Sequence, residues 1–190
     1  MTEHSCHRST GRHWTWPIFC FVFALGWVQA GVAGSTTVEV YYAPEDQPLD
    51  HIVPLYNRAH RYIYVAVYAL TSPKAVESLA AAKKRGVDVR VITDRERLND
   101  QKQRAAVSSL RLAGVPILVN QHENLMHLKQ VVMDDEINVS GSMNHTTSGN
   151  RYNDERLDVI TDKTITTKAR DKFLAMWNDH DRFQPWSEDR

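Results

Sequence analysis

The chain has 190 residues, 42% of them hydrophobic and 24% charged, which suits one domain with a substantial core and excludes disordered and collagen-like classes. Its 23 basic and 23 acidic side chains balance, so no overall field draws it to nucleic acid or anionic lipid. Any preference for phosphate has to be local.

The N-terminal segment differs from the rest. Arg8 and Arg12 precede a stretch without Asp, Glu, Lys or Arg until Glu39, apolar from Trp16 to Val28 apart from Pro17 and Gly26, with small residues at Ala30, Gly31, Ala33 and Gly34. A basic start, a short apolar centre and a small-residue exit read as a signal peptide over 1–33, which exports the domain as a periplasmic or secreted protein. The alternative is an uncleaved segment that anchors the domain to a membrane. The apolar run falls short of the roughly 17 to 25 residues of a spanning helix, which favours cleavage. Cys6 and Cys20 both lie in this segment, so the remaining domain has no cysteine for a disulfide, a zinc site or a nucleophile. Taking Arg8 and Arg12 from 23 basic residues and Glu3 from 23 acidic ones leaves 21 and 22, still near neutral.

One domain is expected over 37–186. Val38, Val40 and Tyr42 alternate with Glu39 and Tyr41 as in a strand, and the spacing predicts a helix over 49–60 despite Pro54. The aromatic and β-branched run 62–68 suits a buried strand. Ser72 then offers an N-cap and Pro73 a first helical residue, with Val76, Leu79 and Ala80 at helical spacing before Lys83, Lys84, Arg85 and Gly86 end the helix. The basic cluster at that helix end is read as a solvated face rather than a backbone-binding patch. A strand over 87–92, a helix over 99–113 and a strand over 115–119 follow. This alternation predicts an α/β domain with a mixed, largely parallel sheet flanked by helices. Further on, strands 130–133 and 137–140 flank the acidic turn Asp134, Asp135 and Glu136, and a strand over 157–161 precedes a helix over 163–178. Its stripe of Ile165, Ala169, Phe173 and Trp177 reads as core packing.

The chemistry concentrates between His127 and Glu155. On a strand, His127 and Lys129 point to one side, presenting an imidazole that can act as nucleophile or general acid and base beside a fixed positive charge for phosphate oxygens. Gly141 lets the backbone pass closely, while Ser142 and Asn144 add a hydroxyl and an amide. Singly, each residue has a bland reading; together they describe a phosphate site.

These residues reproduce His-x-Lys-x4-Asp and Gly-Ser-x-Asn as His127, Lys129, Asp134, Gly141, Ser142 and Asn144, and in this the sequence resembles the phospholipase D superfamily. The run Tyr68-Ala-Leu-Thr-Ser-Pro, the stretch from Ala82 to Val89 and Asn153-Asp-Glu155 resemble that superfamily's small secreted bacterial endonucleases. The resemblance implies the phospholipase D/nuclease fold and a two-step phosphodiesterase. One histidine forms a phosphohistidine while a second protonates the leaving oxygen and then activates water. His127 matches the family histidine, Lys129 and Asn144 the phosphate-binding groups, Ser142 a supporting donor, and Glu155 the acid that orients the histidine. Asp134 matches the motif's acid, with anchoring of a loop or pairing with a lysine as an equal alternative. His145 departs from the family, in which an apolar aromatic is common at that place.

The motif occurs once, yet the implied mechanism takes two histidines, so a homodimer that shares its site across a two-fold axis is expected. His122, His127 and His145 lack the spacing of a metal motif, and the resemblance implies no metal or other cofactor. Nucleic acid is the expected substrate and phospholipid the alternative, by hydrolysis of glycerophospholipids to phosphatidic acid. A reading of another class is a nucleic-acid-binding protein that kept the fold without the chemistry; the intact His127, Lys129, Asn144 and Glu155 speak against it.

Overall fold

The computed structural model describes residues 1–2 and 35–187, so the expected signal peptide, apart from its first two residues, lies outside the described residues. The elements, in chain order, are β1 (Thr37–Ala43), α1 (Leu49–Arg58), β2 (Tyr62–Val67), α2 (Pro73–Lys84), β3 (Asp88–Thr93), a 3-10 turn (Glu96–Asn99) and α3 (Gln101–Leu112). There follow β4 (Ile117–Asn120), β5 (Lys129–Met133), β6 (Ile137–Gly141), α4 (Thr147–Arg151), β7 (Glu155–Thr161), α5 (Lys163–Trp177) and β8 (Phe183–Pro185).

The strands form one sheet in the order β1-β7-β6-β5-β2-β3-β4-β8. It is mixed and flanked by helices, as expected, but its parallel part is confined to β2, β3 and β4, and all other neighbours run antiparallel. The helical crossovers of the first half produce the parallel strands. The second half returns by hairpin: Asp134 and Asp135 take φ of 56° and 62° in the tight turn between β5 and β6, the left-handed pair that such turns need.

Both faces of β2 are buried, and its side chains divide between two cores. Ile63, Val65 and Val67 pack with α1, α2 and α3, while Tyr62, Tyr64 and Ala66 pack on the other face with Ala169, Phe173 and Met176 of α5. Each fully buried large apolar side chain contributes about 1.5–3 kcal/mol, so the centre of the sheet is where burial stabilises the described fold most. The buried line of α5 is Thr166, Ala169, Phe173 and Met176, one residue round from the expected stripe, and Ile165 is 41% exposed. Stacking of Phe173 on Tyr64 at 4.8 Å fixes that rotation.

The strand ends gather the motif. Lys129 opens β5 opposite Val67 at the end of β2, Gly141 closes β6 opposite Leu157, and Glu155 opens β7 opposite Ala43 at the end of β1.

Candidate active site

His127 lies just before β5 rather than within it. The strand-like arrangement nevertheless continues, because the Tyr68 N–H donates to the Leu128 carbonyl at 2.9 Å, beyond the last paired residues. His127 is exposed, and its ring meets Tyr68 at 4.8 Å between centroids, tilted by 55°. The Lys129 ammonium donates to the His127 carbonyl at 2.9 Å and stands 3.0 and 3.1 Å from the two ring nitrogens. Near-equal distances place it over the imidazole rather than in line with either lone pair. Burial lowers the pKa of Lys129 from the ordinary lysine value, and the negative charge of Glu155 opposes that shift.

The loop that delivers His127 is tied down by polar groups that sequence reasoning passed over. Fully buried Asp94 accepts from the Met126 N–H at 2.7 Å and from the Glu96 N–H at 2.9 Å. Asn120 accepts from the Arg95 N–H at 2.8 Å and donates to the Asn124 carbonyl at 3.0 Å. Behind Tyr68, Gln103 accepts from the Leu70 N–H at 2.7 Å and donates to the Thr93 hydroxyl at 3.0 Å, which in turn donates to the Tyr68 carbonyl at 3.1 Å. The usable signal was positional: Thr93, Asp94 and Asn120 are polar residues at the carboxyl ends of parallel strands, where α/β sheets place their ligand sites.

The other half of the cluster comes from β6 and β7. Gly141 has φ of 149°, and a Cβ there would stand 2.2 Å from the Arg156 carbonyl oxygen, so no side chain fits. The close approach lets the Ser142 N–H donate to that carbonyl at 2.9 Å, while the Ser142 hydroxyl accepts from the Arg156 N–H at 3.0 Å and donates to Glu155 at 2.5 Å. Asn153 donates to the other Glu155 oxygen at 3.3 Å. Among the described residues, Glu155 makes no hydrogen bond to His127 of its own chain. The Asn144 side-chain carbonyl accepts from the Ala69 N–H at 3.1 Å, which leaves its NH2 group as the donor for a ligand. Gly149 in α4 packs so tightly on this loop that a Cβ would stand 2.7 Å from the Asn144 carbonyl oxygen.

Asp134 is not brought to this cluster. It sits at the opposite end of β5, buried, accepting from the backbone N–H groups of His60, Arg61 and Tyr62 at 2.8–2.9 Å, with His60 Nδ1 at 3.0 Å. The geometry supports the loop-anchoring alternative and not contact with a phosphate beside Lys129. The His145 side chain is buried rather than presented at the surface: 1% exposed, it packs near Tyr56, and burial lowers its pKa to about 4. Its backbone stitches the Asn144 loop to the end of β2 through Ala69, Thr71 and Ser72. His122 packs edge-on against Phe183. Among the described residues no three or more His, Cys, Asp and Glu side chains converge on a point that could hold a metal ion.

His127, Lys129, Ser142, Asn144 and Glu155 therefore share one end of the sheet, an arrangement suited to a tetrahedral anion. A family model described as "Cardiolipin synthase, PLD-like domain" matches residues 52–177. The chain is 31% identical over 157 residues to a mitochondrial cardiolipin hydrolase of Xenopus laevis, covering 77% of this chain and 73% of that protein. It is 25% identical over 142 residues to a phospholipase D of Rickettsia prowazekii, covering 75% and 66%. Among solved structures it is similar to Nuc, a phospholipase D family member from Salmonella typhimurium, with a TM-score of 0.75, 24% identity, and coverage of 81% of this chain and 100% of that one. NucT from Helicobacter pylori follows at a TM-score of 0.67 and 18% identity, covering 75% and 96%. A motif matched in full, a family model spanning most of the domain and the same fold all agree: the chain belongs to the phospholipase D superfamily and is a phosphodiesterase of it.

Proposed function

We propose that this phosphodiesterase is an exported endonuclease that cleaves DNA or RNA as a homodimer through a phosphohistidine on His127. The observation that carries the nucleic-acid reading is the surface beside His127. On one side Lys129 and Arg97 lie against the Tyr68 ring; on the other a shallow groove is lined by Tyr42, Ser142 and Arg156 together with the carboxylates of Glu45, Asp154 and Glu155. A ring flanked by two cations, as Tyr68 is, can stack a base while the cations hold phosphates, and this side of the site carries the reading. Export rests on the character of residues 1–33.

In the proposed reaction a His127 ring nitrogen attacks phosphorus. The N–P bond forms as the P–O bond to the leaving oxygen breaks, and the partner's His127 gives that oxygen a proton. The partner's imidazole then takes a proton from water, whose oxygen attacks phosphorus, breaks the N–P bond and restores His127. Lys129 and the Asn144 amide hold the nonbridging oxygens, and Ser142 fixes the carboxylate of Glu155. Since Glu155 bonds no histidine among the described residues of its own chain, it falls to orienting the partner's His127. A single motif with its histidine exposed at the sheet end supports a site completed across a two-fold axis.

A second reading, hydrolysis of cardiolipin or another phospholipid, is favoured by the 31% identity to a cardiolipin hydrolase and by Leu125, 43% exposed two residues before His127. Purified protein, in chelator, is to be offered plasmid DNA, single-stranded RNA and cardiolipin vesicles beside H127A. Cleavage of nucleic acid with intact lipid is the expected result. Lipid turnover with intact nucleic acid replaces the nuclease reading, and full activity of H127A removes the phosphohistidine.

A further inference from the structure

Tyr68 carries two cations on its ring, and the mechanism uses only one of them. Lys129 Nζ lies 5.3 Å from the ring centroid, and Arg97 Cζ lies 5.6 Å from the same centroid. Arg97 comes from the 3-10 turn between β3 and α3, whose position is set by Asp94 and Asn120, the same residues that hold the His127 loop. Its guanidinium is under-used. Of five N–H donors, one reaches Asp100 at 3.2 Å, and Nε is buried with no hydrogen-bond partner among the described residues. Asp100 is itself engaged as the N-cap of α3, accepting from the N–H groups of Lys102 and Gln103. It therefore steers the arginine without saturating it.

Arg97 faces a groove between α2 and α3 whose wall includes Thr71, Lys102, Thr146, Thr147 and Ser148. These hydroxyls and the Lys102 ammonium are donors that a phosphodiester backbone takes, and the carboxylates of Glu77 and Asp100 also line the groove. Thr71, three residues after Tyr68, lines the groove, and Arg97 belongs both to that lining and to the Tyr68 ring, so a strand with its scissile phosphate on Lys129 and Asn144 can reach Arg97 past the ring.

We propose that Arg97 binds the phosphate next to the scissile one, so that the site engages two consecutive phosphates of a nucleic-acid strand passing over Tyr68 into the α2–α3 groove. The role is one of substrate specificity: Arg97 distinguishes a polynucleotide from a diester with a single phosphate. The proposal rests on the nuclease reading.

The test compares kcat/KM on a dinucleotide with one phosphate and a trinucleotide with two. The wild type is expected to prefer the trinucleotide by roughly ten- to a hundredfold, the usual worth of one charge-assisted hydrogen bond. R97Q should reduce that preference to within about twofold, and R97K, which keeps the charge but not the planar fork, should fall between them. The dependence of log affinity for a single strand on log salt should shrink by about 0.7 in R97Q. Equal losses on both substrates, or an unchanged preference in R97Q, overturn the proposal while leaving the nuclease reading standing. If R97Q does not fold, an undiminished preference in R97K overturns it. A wild type that hydrolyses cardiolipin vesicles but neither nucleotide overturns both.

Discussion

The two ends of β5 carry the two ends of one motif, and they differ in kind. At the Lys129 end the polar groups are exposed or half-buried, the Asn144 NH2 group is left for a ligand, and the ammonium lies against an imidazole. At the Asp134 end, five residues and so roughly 16 Å along the strand, a buried carboxylate takes three backbone N–H groups and is fully satisfied. A short sequence signature thus contains a reactive part, left under-satisfied for a ligand, and a structural part that fixes the strand presenting it. Neighbouring positions in a motif need not share a role.

That contrast can be broken by substitution at either end. The largest effect is expected for H127A, which should lose roughly four orders of magnitude or more in kcat with its unfolding midpoint nearly unchanged, since the side chain is exposed. D134A should do the reverse. It strands the N–H groups of His60, Arg61 and Tyr62, and a loss of about 3 kcal/mol or more is expected by urea unfolding, with kcat of the folded fraction kept within a few-fold. A D134A protein of normal stability that has lost its activity would return Asp134 to the reactive part.

A smaller effect sharpens the same division on the Asn144 loop. His145 has its folded-state pKa lowered from 6.5 to about 4 by burial, so below pH 6.5 the unfolded chain binds a proton that the native one does not. Stability is therefore complete above pH 6.5 and declines as pH falls toward 4, by roughly 3 kcal/mol in all. H145F should flatten this limb of the stability curve. Dependence of kcat on His145 beyond that of folding would show that it is not merely a packing residue.

The candidate site was legible in the sequence because His127, Lys129, Gly141, Ser142 and Asn144 fall at or just beyond the ends of two adjoining strands, where local spacing is spatial arrangement. Asp134 was legible as a motif position but not as a role, since only the fold brings 60–62 to its carboxylate. Asp94, Asn120 and Gln103 were hidden for the same reason: each acts on backbone far away in sequence, and no periodicity marks such a pair. The sheet's direction was misjudged where hairpins replaced crossovers. In α5 the exposed Ile165 and buried Thr166 reversed the order that hydrophobicity suggests, because the stacking of Phe173 on Tyr64 fixes the helix face.

The central claim is that each chain holds half of a two-histidine site, and subunit mixing tests it most directly. Wild-type protein is to be equilibrated with increasing H127A under conditions that exchange subunits, and hydrolysis followed at constant wild-type concentration. A shared site predicts that H127A poisons the wild type, so that activity approaches zero with excess variant as mixed dimers replace wild-type ones. Activity that stays constant however much H127A is added, with mixed dimers demonstrably formed, would mean that one chain's His127 suffices and would contradict the account.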